Sequence, residues 1–128
     1  MDTMIDFADA TFLKLAPISN EEGLALVQPM LIEGETVFAA FKAMRDQVIF
    51  TNKRLIAVNV QGITGKKKDF TSLPYSKVQA FSVETAGSLF DLDTEMELWF
   101  SGLGKVHFEF KSKFDITAFN KFLGGYIL

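Results

Sequence analysis

The sequence predicts a mainly β fold, a seven-stranded bent barrel or sandwich capped by a C-terminal α-helix and preceded by short N-terminal helices. Three observations carry that prediction. Apolar residues change from helical to every-other-residue spacing after Glu35; turn residues then recur at short intervals; and a single amphipathic helical pattern returns after Asp115.

The N-terminal third reads as helical. Met4, Ile5, Ala8, Phe12 and Leu15 recur at helical spacing, and Pro17 ends the pattern. Ser19 and Glu22 then form a capping box, in which hydroxyl and carboxylate satisfy amide donors that a helix start leaves unpaired. A short helix should follow through Leu24, Val27 and Gln28. It should stop close to Pro29, which has no amide hydrogen to donate and restricts its neighbour.

Strands are expected over 35–44 and 47–50, around a turn at Arg45-Asp46, and again over 54–60 after the turn Thr51-Asn52-Lys53. Gln61-Gly62 breaks that strand, and two more should occupy 67–73 and 78–85 on either side of Pro74. The last hairpin is the clearest. Met96, Leu98 and Phe100 alternate with Glu95, Glu97 and Trp99, and after Ser101-Gly102-Leu103-Gly104 the pattern resumes with Val106, Phe108 and Phe110 inward and His107, Glu109 and Lys111 outward. One plausible register sets His107 across from Trp99. Asp115 caps a helix whose Ile116, Phe119, Phe122, Leu123 and Tyr126 share a face, with its end near Gly124-Gly125. Closing seven strands into one sheet would remove most free strand edges. The whole chain, 1–128, reads as one domain: a helical extension over 1–33 and a barrel plus capping helix over 34–128.

Composition narrows the chemistry. The 128 residues include 14 phenylalanines and are 48% hydrophobic, enough for a core without disulfides or metals. The absence of cysteine excludes a disulfide framework, a thiolate metal site and a cysteine nucleophile. A net charge of −3 argues against broad nucleic-acid binding, which needs many cationic contacts to phosphate. The opening Met1-Asp2-Thr3-Met4-Ile5-Asp6 lacks the cationic start and apolar run of a secretory signal, so a cytoplasmic protein is expected. No stretch approaches the roughly 20 apolar residues of a membrane-spanning helix.

The run Arg45-Asp46-Gln47-Val48-Ile49-Phe50-Thr51-Asn52-Lys53-Arg54-Leu55-Ile56 resembles the RD-x-hydrophobic-TNKRLI core of bacterial pleckstrin-homology (PH) domains. Three further segments agree: 61–67, 73–78 and 81–87. The resemblance covers roughly Glu35 to the C-terminus. It implies a seven-stranded, strongly bent barrel with a C-terminal capping helix, and membership of a family described mainly as oligomers of uncertain function. Much of the signature is turn chemistry, since Asn52 tolerates left-handed backbone and Gly62 and Gly65 permit positive φ. Arg45, Asp46, Lys53 and Arg54 are close enough in sequence for ion pairs between turns, each worth about 0–1 kcal/mol at a surface.

Candidate sites follow from those placements. His107 is the only histidine, and a triad with Ser101 or Ser112 has no supporting spacing, so no catalytic residue is assigned. Asp91, Asp93 and Glu95 alternate in the manner of hard-cation ligands, yet they lack the ligand number and glycine of an EF-hand. No metal or other cofactor is assigned. Gly62-Ile63-Thr64-Gly65-Lys66-Lys67-Lys68 misses the spacing of a phosphate-binding P-loop. Its lysines form a cationic protrusion, so Lys66, Lys67 and Lys68, with Lys53, are candidates for an anionic lipid or other anionic ligand. Phosphoinositide-binding relatives use a basic first hairpin, whereas the matching turn here is Met44-Arg45-Asp46-Gln47, a poor phosphate cage. The apolar supply exceeds what a compact barrel consumes, and an outward Trp99 with Phe38 and Phe41 on opposite faces of one strand points to contact between copies.

The reading from sequence is therefore a non-enzymatic PH-like scaffold that forms homo-oligomers and binds a protein partner. Trp99, His107 and Phe41 are its interface candidates. Membrane contact through the lysine loop is the alternative.

Overall fold

A computed structural model describes residues 11–84, 94–111 and 115–128. Packing divides the chain into two compact units, one comprising Pro17–Pro74 and the other the segment ending at Ala16 together with Tyr75–Leu128.

The first unit is a four-stranded antiparallel meander with a helix. Its strands are β2 (Val37–Ala43), β3 (Asp46–Thr51), β4 (Arg54–Gln61) and β5 (Lys67–Pro74), each hydrogen-bonded to the next. Ser19 caps helix α1 (Asn20–Val27) by accepting a hydrogen bond from the Glu22 amide at 3.1 Å, the hydroxyl half of the expected capping box, while the Glu22 carboxylate lies 3.9 Å from Lys42 Nζ. Pro29 then sits inside a 3-10 turn over Gln28–Met30, where its missing donor costs little. Val27 packs with Ala40, Ile49, Ile56 and Val58 in a buried cluster. The approach is close because α1 presents Gly23 there. A Cβ at that position would lie 2.6 Å from Ala40 Cβ.

The second unit pairs β6 (Val78–Glu84), β7 (Thr94–Phe100) and β8 (Gly104–Phe110) as antiparallel neighbours. The alternation of β7 and β8 is borne out: Met96, Leu98, Val106, Phe108 and Phe110 are fully buried while Glu95, Glu97, Trp99, His107 and Glu109 face outward and are only partly covered. Asp115 accepts from the Ala118 amide to start α2 (Ile116–Ile127), and Phe119 meets Phe110 with ring centroids 6.3 Å apart. Tyr75, in a short 3-10 turn, is 2% exposed and packs on Phe122 and Tyr126.

Several expectations change. Residues 11–18 are not the end of a helix but strand β1 (Thr11–Ile18), parallel to β8. Between Phe12 and Leu15 the register slips, so a spacing of three in β1 matches a spacing of two in β8 (Phe12↔Phe108, Leu15↔Phe110), with Lys14 at φ 59° in the irregular step. That bulge is why a helix-like spacing belongs to a strand. The unpaired edge of β8 gives β1 ladder partners that a local helical period does not reveal. The earlier part of the expected helix lies outside the described residues.

With β1 there are eight strands instead of seven among the described residues. Helix α2 also runs through Gly124-Gly125 to Ile127. Each helical glycine costs about 1 kcal/mol relative to alanine. Contact of Tyr126 with Tyr75 and Phe122, at 6.4 and 5.0 Å between centroids, offsets that cost and holds the last turn.

Candidate functional site

An outer charged face is built on β6, β7 and β8. The register places His107 opposite Glu97, and Trp99 opposite Lys105 and Ala80, which corrects the expected His107–Trp99 pairing by two residues. The turn 101–103 is one residue shorter than the four-residue break read from sequence, because Gly104 already pairs with Phe100. His107 Nδ1 lies 3.0 Å from Glu97 Oε2, and Nε2 lies 3.0 Å from Glu95 Oε1. A neutral imidazole can donate from only one nitrogen, so only the imidazolium donates to both carboxylates. Lys105 Nζ adds a contact to Glu97 at 3.3 Å.

Glu84, Glu95 and Glu109 stand directly opposite one another across the three strands. Like charges in that arrangement repel, and Lys105 neutralises part of the field. Ser82, Glu84, Glu95, Glu97 and His107 line a shallow cleft of about 170 Å³. Burial alone would raise the Glu97 carboxyl, but hydrogen bonds from His107 and Lys105 and their charges outweigh it and hold Glu97 below its ordinary value.

This arrangement ties His107 to two glutamates. Ser101 lies in the exposed turn after β7, while Ser112, Asp91 and Asp93 lie outside the described residues. Among the described residues no three His, Asp or Glu side chains gather as a metal-ligand set.

The lysine candidates separate into two groups. Lys66, Lys67 and Lys68 are exposed in the β4–β5 connection and the start of β5. Lys53 is exposed in the β3–β4 turn, at the opposite end of β4, about 24 Å away for a strand of that length. It does not join the lysine run. Arg45, at the β2–β3 turn, does reach the β4–β5 connection: Nη1 donates to the Gly62 carbonyl at 2.7 Å and Nη2 to the Val60 carbonyl at 3.4 Å. Asp46 accepts from the Val60 amide at 2.9 Å. Both charges of that first hairpin are thus engaged with backbone, consistent with its weakness as a phosphate cage.

Phe41 does not present a surface. It is 3% exposed and sets its ring edge-on to Phe50 at 5.9 Å, which removes it from the interface candidates. Phe38, at the register slip between Val37 and Ala39, is 38% exposed. Trp99 remains on the outer face, half-buried.

The strongest polar cluster was missed by sequence reasoning. Glu35, buried just before β2, receives a two-pronged contact from Arg54: Nε to Oε2 at 2.9 Å and Nη2 to Oε1 at 3.0 Å. Thr51 Oγ1 donates to Oε2 at 2.6 Å, and the Ile32 amide to Oε1 at 3.1 Å. Arg54 also donates to the Met30 carbonyl and Ser72 hydroxyl, each at 2.8 Å. The Thr51 and Arg54 of the TNKRLI run therefore have a structural task, tying the strand turn to the segment after α1. A charged residue opening an apolar strand was the only signal available.

Desolvation works to raise the Glu35 carboxyl, but the Arg54, Thr51 and Ile32 donors and the Arg54 charge prevail and hold it below the ordinary 4.5. A depressed folded-state value stabilises the fold fully above the unfolded value and loses that contribution as pH falls through the folded one. Thermal melts from pH 7 downward should therefore hold steady until about 4.5 and then fall, and Glu35→Gln should fall less steeply because it carries no titrating group.

A four-stranded meander whose TNKRLI turn is locked to a buried glutamate, and a strand-rich unit carrying the C-terminal helix α2, are features of small PH-like domains. The chain belongs to the bacterial PH domain family, whose model matches residues 6–127. It is 53% identical over 117 residues to the uncharacterised protein YjqA of Bacillus subtilis (strain 168), covering 90% of this chain and 89% of YjqA. A second uncharacterised protein of that organism, YozO, is 35% identical over 81 residues, 63% of this chain and 69% of YozO. Among solved structures, a DUF1696 family protein with a pleckstrin-homology domain from Shewanella loihica PV-4 superposes with a TM-score of 0.75 at 36% identity, covering 91% of this chain and 99% of that one. A pleckstrin homology domain from Shewanella amazonensis SB2B gives 0.62 at 38% identity over 87% and 90%. No helix among the described residues is long and apolar enough to cross a membrane.

Proposed function

We propose that this chain is a non-catalytic PH-like binding domain of the cytoplasm that self-associates and so serves as a scaffold for protein–protein contact. The observation that supports this reading best is the outer edge of β6. No strand among the described residues pairs with that edge, and its sequence VQAFSVE carries neither proline nor lysine to block pairing. The opposite edge strand, β5, is blunted by Lys67 and Lys68 at one end and Pro74 at the other. Strand edges of the first kind accept an added strand, with backbone hydrogen bonds supplying affinity and neighbouring side chains specificity. Trp99 and the exposed Ala80 opposite it provide an apolar neighbour on the outer face.

Light scattering across a dilution series tests this. The wild type should exceed the 14.3 kDa of one chain, and Ala80→Lys, which puts a charge on an exposed edge position, should shift it toward that mass without loss of fold. Trp99→Ala should weaken assembly in the same direction. A wild-type mass of one chain at every concentration contradicts the proposal.

A second reading, contact with an anionic surface through the lysine run, is favoured by a specific observation. Lys66, Lys67 and Lys68 are all exposed, and none lies within ion-pair distance of a carboxylate among the described residues.

A further inference from the structure

We propose that the β2–β3 and β4–β5 tips together form a wedge that docks on an anionic lipid bilayer, with Met44 and Ile63 entering the interfacial layer and Lys66, Lys67 and Lys68 meeting the headgroups. The inference rests on the second reading above and adds the apolar half of the contact and its target.

Met44 is 95% exposed and Ile63 104% exposed, the two most exposed large apolar side chains among the described residues of the unit of β2–β5. They lie on different hairpins at the same end of the sheet. Arg45 joins those hairpins through its two bonds to the Val60 and Gly62 carbonyls, and the added Asp46–Val60 bond fixes them side by side. Tips tied in this way present both side chains with less backbone left to order on binding.

The backbone adds a second reason to regard Met44 as placed there for its side chain. It stands at φ 55°, a conformation that glycine or asparagine adopts with less strain. An apolar residue at such a site, facing water, gains nothing from the fold. At the bilayer boundary it gains from burial.

Charge selects the target. Arg45, Lys66, Lys67 and Lys68 contribute four cations near the tips; Asp46 and Asp69 contribute two carboxylates, of which Asp46 is turned to the Val60 amide and Asp69 accepts the Thr71 hydroxyl at 2.6 Å. The end is net cationic on a chain of net charge −3. A convex apolar tip with a cationic collar matches a membrane surface better than a phosphate pocket, because Arg45 already donates to the Gly62 and Val60 carbonyls.

The test is sedimentation of the full chain with large vesicles of phosphatidylcholine alone and of phosphatidylcholine with about a third phosphatidylglycerol, the fraction that gives a surface field of tens of millivolts. Binding is expected to the anionic vesicles only and to weaken with added salt. Each Lys→Gln change at Lys66, Lys67 or Lys68 should weaken it about fivefold, and Ile63→Ser about tenfold. Because the chain has no cysteine, Ile63→Cys carrying an environment-sensitive dye gives a second readout. Its emission should shift to the blue on anionic vesicles, and dye at a Lys53→Cys site should not respond.

Absence of binding to anionic vesicles at low salt overturns the wedge together with the lysine reading. Binding that is lost with the lysines but unchanged in Ile63→Ser and Met44→Ser, with no shift of the dye, overturns the wedge alone and leaves a purely electrostatic contact. Equal binding to neutral vesicles, or binding to soluble polyglutamate that matches the vesicles, overturns the assignment to an anionic bilayer.

Discussion

Glu35→Ala is expected to lower the unfolding free energy by about 3 kcal/mol, on the order of 10 °C in melting temperature. The change removes the carboxylate that accepts from Arg54 twice, from Thr51 and from the Ile32 amide. The Arg54 side chain is only 21% exposed, so its charge loses its partner in a place that water reaches poorly. That residual exposure sets the cost at the lower end of the 3–5 kcal/mol typical of a broken buried pair. Arg54→Lys keeps the charge but cannot reproduce the two-pronged contact with Glu35 together with the bonds to Met30 and Ser72. It should therefore also destabilise, by less than Glu35→Ala. Denaturant titration measures both. A loss below about 1 kcal/mol for Glu35→Ala would mean the cluster is no more than an ordinary surface pair.

The second large effect runs against helix propensity. A glycine inside a helix is ordinarily improved by alanine, by roughly 1 kcal/mol. At Gly23 the added methyl would sit 2.6 Å from Ala40 Cβ and 3.5 Å from Ile49 Cγ1, so α1 must lift from β2 or the strand must shift. Gly23→Ala should therefore destabilise, by about 1–3 kcal/mol for an overpacked contact, and Gly23→Val by more. Removing the opposing methyl in Gly23→Ala/Ala40→Gly should recover part of the loss, giving a favourable coupling energy between the two positions. Gly23→Ala that raises the melting temperature would show that α1 does not bear on β2 as described.

What the sequence made legible was whatever depends on near neighbours. Period-2 patterning marked β7 and β8 and chose their buried face, and Ser19 and Asp115 each cap the helix assigned to them. Long-range pairing was a different matter. The bulge at Lys14 gave β1 a spacing that reads as helix, and only the parallel ladder with β8 reveals it as strand. The parity of His107 was legible while its partner was not, because a shift of two residues in register keeps every side chain on the same face. Phe38 is exposed and Phe41 buried, and which of them is covered depends on elements far away in the chain. Glu35 and Arg54 meet across 19 positions, a separation that no local period encodes. The wedge was half legible, as a run of lysines. Its apolar partners, Met44 and Ile63, required knowing that Arg45 ties the two hairpins together.

Hydrogen exchange of the β6 backbone at graded protein concentration tests the assembly account most directly. Amides of residues 78–84 that point away from β7 should exchange quickly in dilute solution and become protected as concentration rises, while those of β3 and β4 in the middle of their meander stay protected throughout. The same exchange rates on β6 at every concentration, with a particle that nonetheless grows, would place the contact elsewhere and contradict edge pairing as its basis.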